Sequence, residues 1–327
     1  MPSALPRLVA HADWSIDPKK RWLVRAALRS DGRFCALAPE PVGPLETLWA
    51  DLERASDGSA LVGFDFPIGL PRAYAERAGI DDFAAELTRF GDGRFADFYD
   101  VARESHEISL ARPFYPDRVG GRRGSHLLDG LGLSEHADLL RWCERRTADR
   151  NAACALFWTL GGNQVGKAAI AGWRHLLAPA LRSGADLAIW PFHGGLHDLL
   201  ATHRLVVAET YPGEVYRHLG LGLRGGKRRQ EVRRSNAARL IAWANEADVA
   251  LARALALEIE DGFGSDRAGE DRFDAVVGLF GMLEVVLGRR PSGEPDDPVV
   301  RRIEGWILGQ QAPSSGRAAA EADRPAG

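Results

Sequence analysis

The chain has 327 residues, 45% of them hydrophobic and 27% charged, and 42 basic against 45 acidic side chains leave a formal charge of -3. That composition is of a soluble globular kind and excludes an overall basic nucleic-acid coat protein. The longest mostly apolar run, Ala275 to Gly288, is interrupted by Glu284 and falls short of the roughly 20 residues that a bilayer-spanning helix needs, so no membrane partner is expected.

Three apolar runs near the start, Leu8 to Asp13, Arg21 to Leu28 and Arg33 to Leu37, are separated by turn residues and predict a strand followed by a hairpin. Leu45, Leu48, Trp49 and Leu52 have helical spacing within Gly43 to Ala55, and Ala60 to Phe64 is a compact apolar strand, so the order begins βββαβ. From Pro71 to about Ala185 the pattern turns helical, with helices predicted over Asp82 to Phe90 and Ser134 to Arg145. We read this stretch as an insertion. A helix from about Val165 to Arg182 leads to strands at Leu187 to Trp190 and Arg204 to Ala208. Long helical segments follow at Glu231 to Glu260 and Asp271 to Leu287, and Ile303 to Leu308 reads as a last strand or a helix end. The expected organisation is one α/β domain over residues 1–310 with a largely helical insertion at about 71–185. Residues 311–327 form a tail whose composition predicts disorder.

Met1 to Ala10 has neither a basic leader nor a sustained apolar segment, so no secretion signal is expected and a cytoplasmic location follows. Cys35, Cys143 and Cys154 are widely spaced and form no C-x-x-C pair, which argues against a disulfide framework or a zinc ribbon.

Three of the predicted strands end in an acid, at Asp13, Asp65 and Glu209, and proline follows the last two within three residues. In open α/β sheets the crevice beyond the strand C-termini is where ligands bind, and neighbouring strands lie about 4.8 Å apart, close enough for their acids to share a cation. Asp271 and Asp274, three apart at the start of a helix, project from one face and fit the same site. Taken singly, each acid also suits a turn or a cap; their repetition favours a shared site. Such an oxygen-only set suits Mg²⁺ or Mn²⁺, and two ions about 3.5 to 4 Å apart would activate water against a phosphodiester.

This order of elements, with Asp13 and Asp65 on the first and fourth strands and Asp271-Arg272-Phe273-Asp274-Ala275 on a late helix, resembles the RNase H-like superfamily, especially its RuvC-type nuclease branch. Phe64-Asp65-Phe66-Pro67-Ile68-Gly69-Leu70-Pro71, Gly161-Gly162-Asn163-Gln164-Val165-Gly166, Ala188-Ile189-Trp190-Pro191-Phe192, Glu209-Thr210-Tyr211-Pro212 and Glu304-Gly305-Trp306-Ile307 are similar to domain-of-unknown-function family 429. The similarity spans about residues 7 to 308. It implies an RNase H-like mixed sheet with helices on both faces, and a predicted nuclease, a hydrolase of phosphodiester bonds. By this resemblance Asp13, Asp65, Asp271 and Asp274 match metal-ligand positions, and Glu209 matches a family acid on a further strand. Asp13-Trp14-Ser15-Ile16-Asp17 stands where many members have a glycine-rich turn.

The expected partner is nucleic acid, DNA or RNA. Arg224, Lys227, Arg228 and Arg229 are the leading phosphate contacts, with Lys167 one turn into the helix after Gly161-Gly162-Asn163-Gln164. The rival reading is a non-catalytic nucleic-acid or nucleotide-binding protein of the same fold. An actin-like phosphotransferase is disfavoured, because the phosphate-loop glycines after Asp13 are missing.

Overall fold

The computed structural model describes residues 5–147, 150–160 and 165–312. The Gly161-Gly162-Asn163-Gln164 loop and most of the tail, 313–327, lie outside the described residues. The chain forms an α/β fold around a mixed sheet. Its strands are β1 (Leu8–Asp13), β2 (Trp22–Leu28), β3 (Phe34–Ala36), β4 (Glu40–Pro41), β5 (Ala60–Phe64), β6 (Leu187–Ile189), β7 (Leu205–Glu209) and β8 (Ala250–Leu251). They are ordered β6-β7-β5-β1-β2-β3-β8, with β4 paired to β2. β1, β2 and β3 form an antiparallel meander; β5 runs parallel to β1, and β7 and β6 continue the parallel half.

Strands buried on both faces read as continuous apolar runs, which is why β1, β5 and β7 were legible in the sequence. Alternate residues serve two cores. Ala10, Ala12, Val62, Phe64 and Val207 face the layer built by α1 (Leu45–Ser56) and the insertion. Val9, Leu61, Val206 and Ala208 face the other layer. Between β5 and β6 the described residues form short 3-10 turns, isolated β-bridges and the helices α2 (Arg72–Ala78), α3 (Phe83–Leu87), α4 (Ser125–Leu131) and the run α5 (Val165–Gly172) to α6 (Ala178–Arg182), joined through a π-helical turn. The second layer comprises α7 (Leu196–Thr202), α8 (Pro212–His218), α9 (Gln230–Arg234), α10 (Ala237–Glu246), α11 (Arg253–Asp261) and α12 (Gly269–Val286). No helix among the described residues is long and apolar enough to cross a membrane.

Several predicted helices are shorter than their apolar spacing suggests. Ser134 to Arg145 is two 3-10 turns, His136–Leu139 and Trp142–Glu144, because Glu135 and Asp138 close a capping box and Arg141 between the turns is extended. Asp82 to Phe90 reduces to α3, whose first turn Asp82 caps by accepting from Ala85 N–H at 2.9 Å. Glu231 to Glu260 is interrupted after α10, where Asp248 adopts a left-handed conformation and Ala250–Leu251 pairs with β3 as the sheet edge. Val300–Glu304 is a π-helical turn, and Ile307 then bridges to Glu209 at the end of β7.

The helix α12 lies against the sheet at close range because glycine occupies the crossing points. A Cβ on Gly278 would fall 2.1 Å from the His11 ring, and one on Gly63 2.4 Å from the Met282 sulfur. His11, fully buried in β1, bonds through Nδ1 to the Ala275 carbonyl at 3.0 Å and through Nε2 to the Thr210 hydroxyl at 2.8 Å. Burial lowers its pKa to about 3, so the ring is neutral: Nδ1–H donates to the carbonyl and Nε2 accepts from Thr210. Because ring and backbone leave no slack, Gly278→Ala should cost about 1–3 kcal/mol of stability. Gly43→Ala, with open space around the new methyl, should stay within about 0.5 kcal/mol. Urea unfolding midpoints of the two variants against wild type check this, and equal midpoints would show that α12 is free to lift.

Candidate functional site

Parallel pairing aligns Ala12 of β1 with Phe64 of β5, so the next residues, Asp13 and Asp65, are neighbours on one face of the sheet. That face is the one α12 covers, and the helix brings Asp274 to them with Asp271 one turn earlier. Asp13 and Asp274 are buried. Trp14 N–H donates to Asp65 Oδ1 at 2.6 Å, and the Asp13 and Asp65 carboxyls lie against one another. Trp14 itself is packed edge-on against Phe64 at 5.3 Å, with the Arg21 guanidinium 4.4 Å from the centre of its ring.

Gathering these carboxylates out of water disfavours their charged forms. Burial, then repulsion from Asp65, Asp274 and Asp271, drives the Asp13 pKa well above the usual carboxylate range. Asp65 is pushed to about 7 by burial, which the Trp14 N–H partly offsets. Asp271 is raised to about 6, again chiefly by burial. Asp274 is raised by burial but opposed by Lys227, whose ammonium contacts Asp274 Oδ2 while the Tyr216 hydroxyl donates to Oδ1. Burial alone would lower the Lys227 pKa; Asp274 outweighs it and the net shift is upward.

Glu209 does not join this group. It pairs in register with Phe64, one residue short of Asp65, and therefore points to the opposite face. Thr210 takes the aligned place and binds His11. Glu209 instead receives Arg141 Nη1 and Nη2, both at 2.6 Å, and the Ile68 N–H at 2.7 Å. Arg141, fully buried, also reaches Glu144 at 2.8 Å and the carbonyls of Ile68 and Glu304 at 3.1 Å. Glu209, expected with the other acids, lines the same cavity but does not sit beside Asp13 and Asp65; its carboxylate is held in a buried clamp joining the insertion to the end of β7. The clamp had no legible sequence signal, since Arg141 is one arginine among many in the insertion.

A cavity of about 770 Å³ opens beside the acids. Its lining includes Asp65, Asp274, Tyr216 and Lys227, and Lys167 and Arg150 of the insertion. Arg150 is paired with Glu214 at 2.8 Å. Arg224, Arg228 and Arg229 remain exposed, Arg228 lying 3.5 Å from Glu270. Lys227, placed among the phosphate contacts by its position in this basic run, turns inward to the carboxylates instead. Trp190 and Trp306 are buried core residues. His193 accepts the Ile189 N–H through Nδ1 at 2.9 Å and is tied up locally.

Among the described residues no three His, Cys, Asp or Glu side chains close into a formed metal-ligating group. The donor chemistry nevertheless fits a hard divalent cation: Asp13 and Asp65 are adjacent, oxygen-only, and have no ion-pair partner among the described residues. No family model matches the chain, and neither a curated protein nor a solved structure matches it.

Removing Arg141 would strand Glu209 and Glu144 as buried, unpaired charges. Arg141→Met should therefore lose about 3–5 kcal/mol in chemical unfolding. Arg141→Lys should also be costly, because an ammonium cannot span both carboxylates as the planar guanidinium does. Asp65 has the opposite sign. Its folded pKa of about 7 exceeds the unfolded value of 3.8, so stability is intact below pH 3.8 and is lost as pH rises through 7. Asp65→Asn should melt above wild type at pH 8 and level with it at pH 4; identical melting curves at both would refute the electrostatic cost assigned to this site.

Proposed function

We propose that this protein is a Mg²⁺- or Mn²⁺-dependent nuclease of the RNase H-like fold, of the RuvC-type branch and similar to domain-of-unknown-function family 429. The observation that carries the proposal is the register that sets Asp13 beside Asp65, with Asp65 and Asp274 lining a cavity whose lining also includes basic side chains such as Lys167. The sheet order, an antiparallel β1-β2-β3 meander with β5 parallel to β1, supports the same reading.

Asp13 and Asp65 would hold the divalent ion with Asp274 facing them, and Asp271 tunes the rim. When bound, the ion supplies a Lewis acid for the phosphodiester and a water of lowered pKa. The chain's own groups position the rest. Trp14 N–H orients the Asp65 carboxylate, and Tyr216 orients that of Asp274. Lys167, in the cavity lining, and the exposed Arg224, Arg228 and Arg229 would neutralise phosphates of a bound backbone. A second reading, nucleic-acid or nucleotide binding without turnover, is favoured by one observation: Lys227 already compensates Asp274. It predicts salt-sensitive binding and no products.

Purified wild type should cleave labelled single- or double-stranded oligonucleotides in Mn²⁺ or Mg²⁺ and not in EDTA. Asp13→Asn should lower that rate by more than about 100-fold while its melting temperature holds or rises. Equal cleavage by the two proteins would sink the assignment.

A further inference from the structure

Lys227 is built into the acid cluster with more care than a surface lysine attracted to nearby charge. Its ammonium donates to two acceptors, the Asp274 carboxylate and the Tyr216 hydroxyl at 3.0 Å, and is ion-paired with Glu270 at 3.6 Å. Its backbone is anchored as well. Arg233, only 1% exposed, donates to the carbonyls of Lys227 at 2.6 Å and Arg228 at 2.9 Å. The same guanidinium reaches the carbonyls of Gly262 at 2.9 Å and Gly264 at 2.6 Å, in the turn that leads to α12. Upstream, the Asn236 side chain grips both the N–H and the carbonyl of Gly222, at 2.8 and 3.0 Å. The glycine-rich stretch before Lys227 is therefore tied on both sides, and the lysine is held to the same framework as Asp274.

The two sides of the cluster are consequently unequal. Both oxygens of Asp274 are engaged, one by Tyr216 and the other by Lys227. Asp13 and Asp65 have each other and the Trp14 N–H, and no cation in contact among the described residues. Resting on the metal-dependent reading above, we infer that the centre takes a single divalent ion, held by Asp13 and Asp65, and that the Lys227 ammonium stands in for a second ion on the Asp274 side. Lys227 lines the cavity, so a phosphodiester oxygen admitted there meets a fixed ammonium. Such a cation needs no loading and does not depend on metal concentration.

Calorimetric titration of Mn²⁺, with electron paramagnetic resonance of the loaded protein, tests this without relying on activity. Wild type should bind one Mn²⁺ per chain and give the spectrum of an isolated ion. Lys227→Met should bind a second Mn²⁺ and show a spin-coupled pair, while Lys227→Arg, which keeps the charge, should bind one. Circular dichroism establishes that each variant is folded, and the wild-type stoichiometry decides the matter alone if Lys227→Met does not fold. Two coupled ions in wild type would overturn the single-ion centre and leave the nuclease proposal standing. No Mn²⁺ bound by wild type would overturn both. A folded Lys227→Met that binds one ion with wild-type affinity would also overturn the inference, because the ammonium would then be excluding nothing.

Discussion

Parallel pairing of β1 with β5 and of β5 with β7 sends Asp13 and Asp65 to one face of the sheet and Glu209 to the other. Because side chains alternate with a period of two, the single-residue offset between Asp65 and Glu209 divides the acids into two separate electrostatic systems. Each needs its own compensation, and each has it from a different part of the chain. On the insertion side Arg141 satisfies Glu209 and Glu144 with a planar donor set, and the Glu304 carboxylate receives the Trp142 N–H. On the α12 side Lys227 pairs with Asp274 and Glu270, and has no ion pair with Asp13 or Asp65 among the described residues. The first system is closed and serves the fold. The second is left short of positive charge, which is the condition a cation site requires.

The second system also depends on how near α12 can come to the sheet. Gly63 and Gly278 remove the side chains that would hold helix and strands apart, and Gly281 does the same against Val215 of α8. His11 then fills the seam as a neutral ring whose two nitrogens are both used. A charged imidazole there would face burial without a counter-ion, so the lowered pKa and the close packing are one fact seen twice. The position of Asp274 opposite Asp13 is a consequence of this contact, since the two residues lie one turn and two positions from the His11 seam on their respective elements.

What could be read from the sequence follows the same physical lines. The apolar runs of β1, β5 and β7 and the acids at their ends were visible because strands buried on both faces are apolar almost throughout, His11 being the one polar side chain in β1 before Asp13. Asp13, Asp65, Asp271 and Asp274 are brought to one region as their positions suggested, and PKa directions for all four are upward. Register was not visible. Three strands that each end in an acid look equivalent in a linear reading, and only the ladder shows that Glu209 aligns with Phe64 and Thr210 with Asp65. The role of Lys227 was hidden for a related reason: a lysine inside Gly225-Gly226-Lys227-Arg228-Arg229 reads as one more solvated cation, and its inward turn is set by Arg233 and Asn236 far along the chain from Asp274. Helices in the insertion were overextended because apolar spacing continues through 3-10 turns whose caps, Glu135 and Asp138 among them, act locally.

A cluster of carboxylates with raised pKa values is a burden on the folded state at neutral pH, and nothing in packing alone accounts for keeping it. Asparagine would preserve the Trp14 hydrogen bond at position 65 and remove the repulsion, so the acid is retained against stability and not for it. The same cannot be said of Glu209, whose loss would leave Arg141 with unpaired donors in the interior. Two acids at equivalent strand ends therefore carry opposite stability signs. That contrast separates a carboxylate that holds the fold together from one that we propose holds a cation, and it does so by the partners each carboxylate already has.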